Sequence, residues 1–162
     1  MKYIYSEVTF REIPDEITLC INISNCPFKC KGCHSKELWE DIGTELTIEE
    51  LNRLLSKNKG VTCVSFMGGD KDLFHLLELL IFVKESYPNV KTAWYTGRKD
   101  IPWYGFPINL LDYLKLGPYI KELGPLDNPN TNQRLYKLDK LENYFVGFRD
   151  ITHKFWKNGK QL

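Results

Sequence analysis

The amino-acid sequence predicts a single α/β domain with a mostly parallel sheet, and three observations support this prediction. Three short segments rich in apolar and β-branched residues alternate with two helical segments, and the connections between them are short. A strand, a helix and a second strand in this order form a right-handed crossover with parallel strands. The chain has 162 residues, whereas a complete (β/α)₈ barrel has about 250. We therefore expect one domain over residues 1–162, folded as a shortened, open β/α barrel.

The elements of this pattern follow an N-terminal entry strand or arm (residues 1–16) that ends in a turn near residue 16. A strand is expected at 17–24, and a capping-box pattern at 47–50 predicts a helix that extends to about residue 57. A second strand (61–66), a helix (72–87) closed by a proline and an asparagine, and a third strand (90–95) complete the βαβαβ unit.

The second half of the chain is less regular. Pro102, Pro107 and the aromatic residues between them predict an irregular connection. Short strands are expected at 113–116 and 133–138, separated by a loop rich in proline and asparagine at 124–132. We interpret residues 141–162 as a basic and aromatic tail that packs on the domain. Docking of a partner protein is the alternative for this tail.

Charge and hydropathy exclude two classes of partner. The 22 basic and 21 acidic residues leave a net charge of +1, without the clustered basic excess of a nucleic-acid-binding protein. The most apolar run, residues 76–83, is interrupted by Glu78 and is too short to span a membrane. The N-terminus lacks the apolar run of a signal peptide. We therefore expect a cytoplasmic protein that binds neither nucleic acid nor membrane.

Three of the five cysteines lie within one short loop. Cys26, Cys30 and Cys33 are separated by three and then two residues, and an odd total argues against a closed disulfide set. Three thiolates suit a [4Fe-4S] cluster with one iron left open for a ligand. A Cys₃His zinc site that includes His34 is the alternative, although adjacent side chains diverge and zinc loops more often split their ligands into separated pairs.

The remaining two cysteines lie inside predicted strands. For Cys20 and Cys63 we expect burial as small apolar side chains.

The cysteine spacing resembles the cluster motif of radical S-adenosylmethionine enzymes. Residues 33–39 look like the start of the activases that install glycyl radicals, and residues 66–70 look like their glycine-rich, methionine-binding turn. Residues 116–120 and 131–135 resemble later blocks of the activating proteins of anaerobic ribonucleoside-triphosphate reductases. The resemblance extends from about residue 12 to about residue 136 and implies a partial barrel of the radical S-adenosylmethionine type.

The resemblance implies two cofactors. A [4Fe-4S] cluster would be held by Cys26, Cys30 and Cys33, and the methionine part of S-adenosylmethionine would chelate its open iron. The residues implied to contact S-adenosylmethionine are Gly32, Cys33, His34, Gly68, Gly69, Asp70 and Thr96.

Two of these positions differ from the family pattern. Asp70 stands where glutamate is more frequent, and Gly32 stands where many relatives have an aromatic residue beside the adenine. Purely structural interpretations also remain open. They are a strand-to-helix turn for residues 68–70, a loop cap for His34 and a turn for Thr96.

The implied function is reductive cleavage of S-adenosylmethionine to a 5′-deoxyadenosyl radical, which generates a glycyl radical on the large subunit of the anaerobic reductase. No side chain beyond the cluster and cofactor is assigned a catalytic role, and the electron would come from a flavodoxin- or ferredoxin-type donor. Asn132, Gln133 and Arg134 would close the site or contact the reductase. Three alternatives are an activase of pyruvate formate-lyase, a radical enzyme with a small substrate, and a non-catalytic iron–sulfur or zinc module.

Overall fold

The structure is a computed structural model that describes residues 1–102, 106–140 and 146–156. The strands within these residues are β1 (Lys2–Thr9), β2 (Thr18–Ile23), β3 (Thr44–Glu45), β4 (Cys63–Met67), β5 (Lys91–Tyr95), β6 (Tyr113–Leu116), β7 (Arg134–Lys140) and β8 (Val146–Asp150). They form one sheet in the order β3-β1-β2-β4-β5-β6-β7-β8.

The sheet is mixed. Strands β2, β4, β5 and β6 are parallel neighbours at its centre, whereas β1 and β3 on one side and β7 and β8 on the other pair antiparallel. The expectation of a mostly parallel sheet is therefore wrong for the outer strands. Within the described residues, the connections between β1 and β2 and between β6 and β7 contain no α-helical crossover of the kind that parallel pairing needs. The assignment to a radical S-adenosylmethionine barrel stays a prediction.

Both predicted helices are confirmed. Helix α1 (Ile48–Lys57) begins where the Thr47 side chain accepts a hydrogen bond from the Glu50 N–H, and α2 (Leu73–Ser86) begins where the Asp72 side chain accepts from the His75 N–H. Both helices contribute buried leucines to the main core. Its members include Ile21, Leu51, Leu54, Val64, Phe66, Leu76, Leu79, Leu80 and Trp94.

The alternation of side chains along each strand creates a second, smaller core. Val64 and Phe66 belong to the main core, whereas Cys63 belongs to the second core together with Ala93 and Tyr113. We call the side of the sheet that carries the second core the inner face. Cys20 and Cys63 are both buried and free, as the sequence predicts.

The described part of the segment predicted as a C-terminal tail, residues 146–156, contains a strand and a short helix. Residues 146–150 form β8, and a short 3₁₀ helix (Thr152–Phe155) follows. Ile151 and Thr152 are buried, which confirms packing on the domain for this part. Residues 141–145 and 157–162, like 103–105 of the irregular connection, lie outside the described residues. No helix among the described residues is long and apolar enough to cross a membrane.

Candidate metal centre and cofactor cavity

The cysteine loop follows the carboxyl end of β2. The Cys26 N–H donates to the Leu38 carbonyl at 2.9 Å, and the Cys33 N–H donates to the Cys30 carbonyl at 3.0 Å. Gly32 has a φ of +79°, a conformation in which residues with a side chain are strained. These features fold residues 26–33 into a compact turn at the end of a strand.

All three loop cysteines are free thiols, half-buried, and line one cavity of about 550 Å³. Within the described residues, no three His, Cys, Asp or Glu side chains are arranged to hold a metal ion. A [4Fe-4S] cluster differs from a single metal ion, because its thiolate ligands bind different irons and need only share a cavity. The three loop cysteines fit such a cluster.

The Cys26 thiol is affected by burial and by backbone hydrogen bonds in opposite directions. Burial raises its pKa, while hydrogen bonds from the backbone N–H groups of Phe28 and Lys29 oppose this shift. Hydrogen bonds to ligand sulfurs are one of the means by which a protein sets the potential of a cluster.

Gly68 brings the carboxyl end of β4 to the same cavity. Its φ is +112°, and a Cβ here would lie 3.3 Å from the Ile23 carbonyl oxygen. Its N–H donates to the Tyr95 carbonyl, and its own carbonyl accepts from the Trp94 indole at 2.8 Å. The turn is therefore held against β2 and β5. The positive φ favours glycine, and a Cβ would be in tight contact with the β2 backbone.

Gly69 lies elsewhere. Although its φ is also positive, at +92°, it lines a separate polar cavity of about 310 Å³ and not the one with the cysteines. A Cβ at Gly69 would meet the side chains of Ile23 and Met1. The structure thus gives Gly69 the role of shaping the turn and does not bring it to the cysteine cavity.

Asp70 lines the cysteine cavity and is 7% exposed. Its Oδ1 accepts from the Thr96 hydroxyl at 2.5 Å and from Arg98 Nε at 3.0 Å. No hydrogen bond from the described residues reaches Oδ2. Burial raises the pKa of this carboxyl, and the bonds from Thr96 and Arg98 offset the shift only in part. One oxygen thus remains able to accept a proton donor from a ligand.

Thr96 and Gly97 follow β5 and also line the cavity. The Thr96 hydroxyl is committed to Asp70 and accepts from the Arg98 N–H at 3.0 Å. A Cβ at Gly97 would lie 2.5 Å from the Phe28 ring. The cysteine loop therefore rests directly on the end of β5.

His34 and Gly32 have different positions relative to the cavity. His34 lines it and meets Tyr119 edge-on, with ring centroids 6.2 Å apart. Gly32 is exposed and is not among the lining residues. Its Cβ position faces Lys121, 3.3 Å from Cδ.

Of the three polar residues Asn132, Gln133 and Arg134, only Gln133 lines the cavity. Arg134 donates from Nη1 to the Thr131 and Gln133 carbonyls and lies 3.5 Å from Asp150. Asn132 donates to the Pro118 carbonyl at 2.9 Å. Arg134 and Asn132 thus hold the loop that carries Gln133.

Two cavity residues were missed by the sequence analysis. Lys115 is 8% exposed and donates to the Gly117 carbonyl at 2.7 Å. Burial lowers its pKa to about 8, against the opposing charges of Cys30, Asp70, Cys26 and Cys33. Asn22 is 7% exposed, and its Nδ2 has no hydrogen-bond partner among the described residues.

The signal for both was a polar side chain near the carboxyl end of a predicted strand. Each occurs within an otherwise apolar run, so the pattern predicts an ordinary strand residue. In parallel sheets this end is where ligands bind.

Comparison with known proteins supports the metal centre. The model of the family described as "4Fe-4S single cluster domain" matches residues 17–101, which is more than half of the chain. The chain therefore belongs to this family and is an iron–sulfur protein. The matched part contains the cysteine loop and the ends of β4 and β5. Curated proteins and solved structures give no match.

Proposed function

We propose that the protein is a radical S-adenosylmethionine activase that generates the glycyl radical of an anaerobic ribonucleoside-triphosphate reductase. The observation that carries the proposal is the shared cavity, which brings Cys26, Cys30 and Cys33 together with Gly68, Asp70 and Thr96. A module that only stores or transfers electrons has no need for a ligand cavity beside its cysteines. The resemblance of residues 116–120 and 131–135 to the reductase activases favours this partner over pyruvate formate-lyase.

The size and lining of the cavity support a small-molecule ligand. Its volume of about 550 Å³ falls in the usual range of about 300–1,000 Å³ for cofactor sites. Reduction of the cluster would supply the electron that cleaves S-adenosylmethionine to methionine and a 5′-deoxyadenosyl radical, which takes a hydrogen atom from a glycine Cα.

The residues of the chain hold and orient the ligand in this proposal. Asp70 Oδ2 accepts from the methionine ammonium, and Gly68 allows the ligand to approach the backbone because it has no Cβ. Lys115 places a buried cation beside the thiolates, where it offsets their negative charge. Phe28, which contacts Gly97, covers the cavity beside the end of β5 and limits water access.

Access for a protein substrate follows from the residues at the border of the cavity. Tyr5 and Glu7 of β1 line it, and so do Gln133 before β7 and Phe155 after β8. In a flat sheet β1 and β7 would be five strand spacings apart, about 24 Å. The sheet and its loops must therefore bend toward one another around this cavity. The gap between β1 and β8 is where we propose that a glycine-bearing segment enters.

The test is anaerobic reconstitution with iron and sulfide, followed by incubation with S-adenosylmethionine and dithionite. We expect a [4Fe-4S] absorption and electron paramagnetic resonance signal, release of 5′-deoxyadenosine, and a glycyl radical doublet after addition of the purified reductase. A loaded cluster without deoxyadenosine would indicate an electron-transfer module. A doublet on pyruvate formate-lyase and none on the reductase would reassign the partner.

A further inference from the structure

We propose that the outer edge of β1, residues 5–9, binds an extended segment of the partner protein by β-strand addition and directs that segment into the cysteine cavity. This inference rests on the proposed function, because it assigns the docking surface for the protein substrate of the same site.

The edge of β1 is unequally covered. On the edge that faces the centre of the sheet, β1 pairs with β2 from Tyr3 to Thr9. On its outer side β3 pairs only with Lys2 and Tyr3. No strand among the described residues pairs with the outer side of residues 5–9. Backbone groups of this stretch that point outward are therefore available to another chain over about 16 Å.

The side chains along this edge do not protect it. Tyr5 and Val8 are 40% and 41% exposed on opposite faces of the strand, and Phe10, just after it, is 71% exposed, so both faces beside this edge carry apolar surface. Natural edge strands are usually protected by lysine, proline, bulges or a covering element. Residues 5–9 contain no lysine and no proline, and their one charged residue, Glu7, lines the cavity. The register shift of β1 lies between Tyr3 and Tyr5, before the free stretch, and the pairing with β2 is regular from Tyr5 to Thr9. An open apolar edge of this kind is suited to pairing with an extended peptide.

The edge is continuous with the candidate site. Tyr5 and Glu7 belong to β1 and at the same time line the cavity with the three loop cysteines. Arg11 and Glu12, which follow the strand, line it as well. A segment that pairs with β1 therefore lies beside the opening through which a glycine must pass.

The side-chain amide of Asn22, inside the cavity, is a hydrogen-bond donor without a partner among the described residues. Asn22 is the cross-strand neighbour of Tyr5, it lines the cavity, and its buried Nδ2 lacks a partner among the described residues. A peptide that turns from the edge into the cavity brings backbone carbonyl oxygens, the acceptors that this amide lacks. The free edge and the unpaired amide thus favour the same kind of occupant, an extended polypeptide.

The direct test is hydrogen exchange of the cluster-loaded protein with a synthetic peptide that spans the radical-bearing glycine of the anaerobic reductase. At a peptide concentration of ten times Kd, we expect the outward amides of residues 5–9 to exchange about tenfold more slowly. The same peptide with alternate backbone nitrogens methylated is the matched control, because it keeps its side chains but cannot pair with a strand. It should bind weakly and leave exchange unchanged.

A variant pair tests the inner end of the path. Asn22→Leu removes the donor at similar volume. Thr18→Val, on the same strand, removes a buried hydroxyl that also lacks a partner among the described residues but does not line the cavity. We expect Asn22→Leu to weaken peptide binding about tenfold with an unchanged or higher Tm, because an unsatisfied donor is lost. Thr18→Val should leave the peptide affinity unchanged.

Each contrary outcome has a separate meaning. Peptide binding without protection of residues 5–9, or no peptide binding by protein that still releases deoxyadenosine, overturns the docking proposal alone. Protection that rises with protein concentration in the absence of peptide shows that a second copy occupies the edge, which also overturns it. A loaded protein that releases no deoxyadenosine contradicts the proposed function instead.

Discussion

Two buried carboxylates occupy opposite ends of the inner face, and they differ in how their charge is balanced. Glu16 lies at the amino ends of the parallel strands and is 6% exposed, and Asp70 lies at their carboxyl ends and is 7% exposed. Accessibility alone does not distinguish them. Their hydrogen-bond partners and their pKa shifts do.

Both carboxylate oxygens of Glu16 accept hydrogen bonds. Its Oε1 accepts from Lys91 and from the Tyr113 hydroxyl at 2.7 Å, and its Oε2 accepts from the Thr62 hydroxyl at 2.6 Å. These partners come from the starts of β4, β5 and β6. Burial alone would raise the pKa of Glu16, but the three hydrogen bonds and the Lys91 charge hold it below its usual value. The group joins four chain segments and lines neither of the two cavities described above.

Among the described residues, donors reach only one oxygen of Asp70, Oδ1. For this carboxyl the burial effect prevails, so its pKa is raised despite Thr96 and Arg98. A carboxylate with a perturbed pKa and a free oxygen in a cavity is a candidate for ligand binding. The comparison teaches that the completeness of the hydrogen-bond shell, more than burial, separates the structural end of this sheet from the candidate functional end.

The largest expected effect separates the three loop cysteines from the two cysteines inside the strands. Changing Cys26, Cys30 or Cys33 to alanine should abolish the [4Fe-4S] absorption and paramagnetic signal. Cys63→Ala, at the amino end of β4, and Cys20→Ala should keep the iron content and lose at most about 1–2 kcal/mol of stability. Iron loss from Cys20→Ala with normal folding would contradict the ligand assignment.

Removal of the structural carboxylate should destabilise the fold and spare the site. Glu16→Ala leaves the Thr62, Tyr113 and Lys91 donors without their acceptor. We expect a loss of about 2–3 kcal/mol in the free energy of unfolding, below the range for fully buried pairs because Lys91 is partly exposed. Urea denaturation measures this loss. Iron bound per folded molecule should not change, and its loss would show that the two ends are coupled.

Substitution of Asp70, at the carboxyl ends of the strands, should spare the fold and impair the site. Asp70→Asn keeps the size of the side chain but removes its charge, so we expect normal iron loading and at least about tenfold weaker binding of S-adenosylmethionine, or about 1.4 kcal/mol. Calorimetry of the loaded protein gives the affinity. Glu78→Gln on α2, which does not line this cavity, is the control. Equal affinity in Asp70→Asn and the parent would make Asp70 a purely structural residue.

The smallest effects are two pH dependences of opposite sign in the metal-free protein. The pKa of Glu16 is lowered in the folded state, so its contribution is present above the unfolded pKa of about 4.3 and is lost as pH falls through the folded value. The pKa of Asp70 is raised, so its contribution is present below the unfolded value of about 3.9 and is lost as pH rises through the folded one.

Matched variants separate the two contributions. From pH 7 to pH 3, the stability advantage of the parent over Glu16→Gln should shrink. Over the same range, the advantage of Asp70→Asn over the parent should shrink. Written as parent minus variant, the Glu16→Gln difference should thus fall and the Asp70→Asn difference should rise as pH is lowered, and a change of both in the same direction would refute the distinction between the carboxylates. Urea titrations at several pH values measure both.

Much of the fold was accessible from local patterns. The helices α1 and α2 and the strands β2, β4, β5, β6 and β7 lie within a few residues of their predicted positions, because capping residues and apolar periodicity act over short distances. Strands β3 and β8 were not predicted. The first has only two residues, and the second lies in a charged segment whose pairing with β7 is decided by contacts along the hairpin.

The sequence by itself determined the cysteine loop, since the spacing of Cys26, Cys30 and Cys33 is local and thiolates have few other uses in such a pattern. It also determined that the turn at 68–70 needs glycines. Only the tertiary structure decided that Gly68 faces the cysteine cavity while Gly69 faces away, because neighbouring residues of a turn point in different directions. It also decided the contact of Phe28 with Gly97 and the placement of Lys115 and Asn22 in the cavity. These depend on which strands become neighbours, and strand order is a long-range property that no short stretch of sequence encodes.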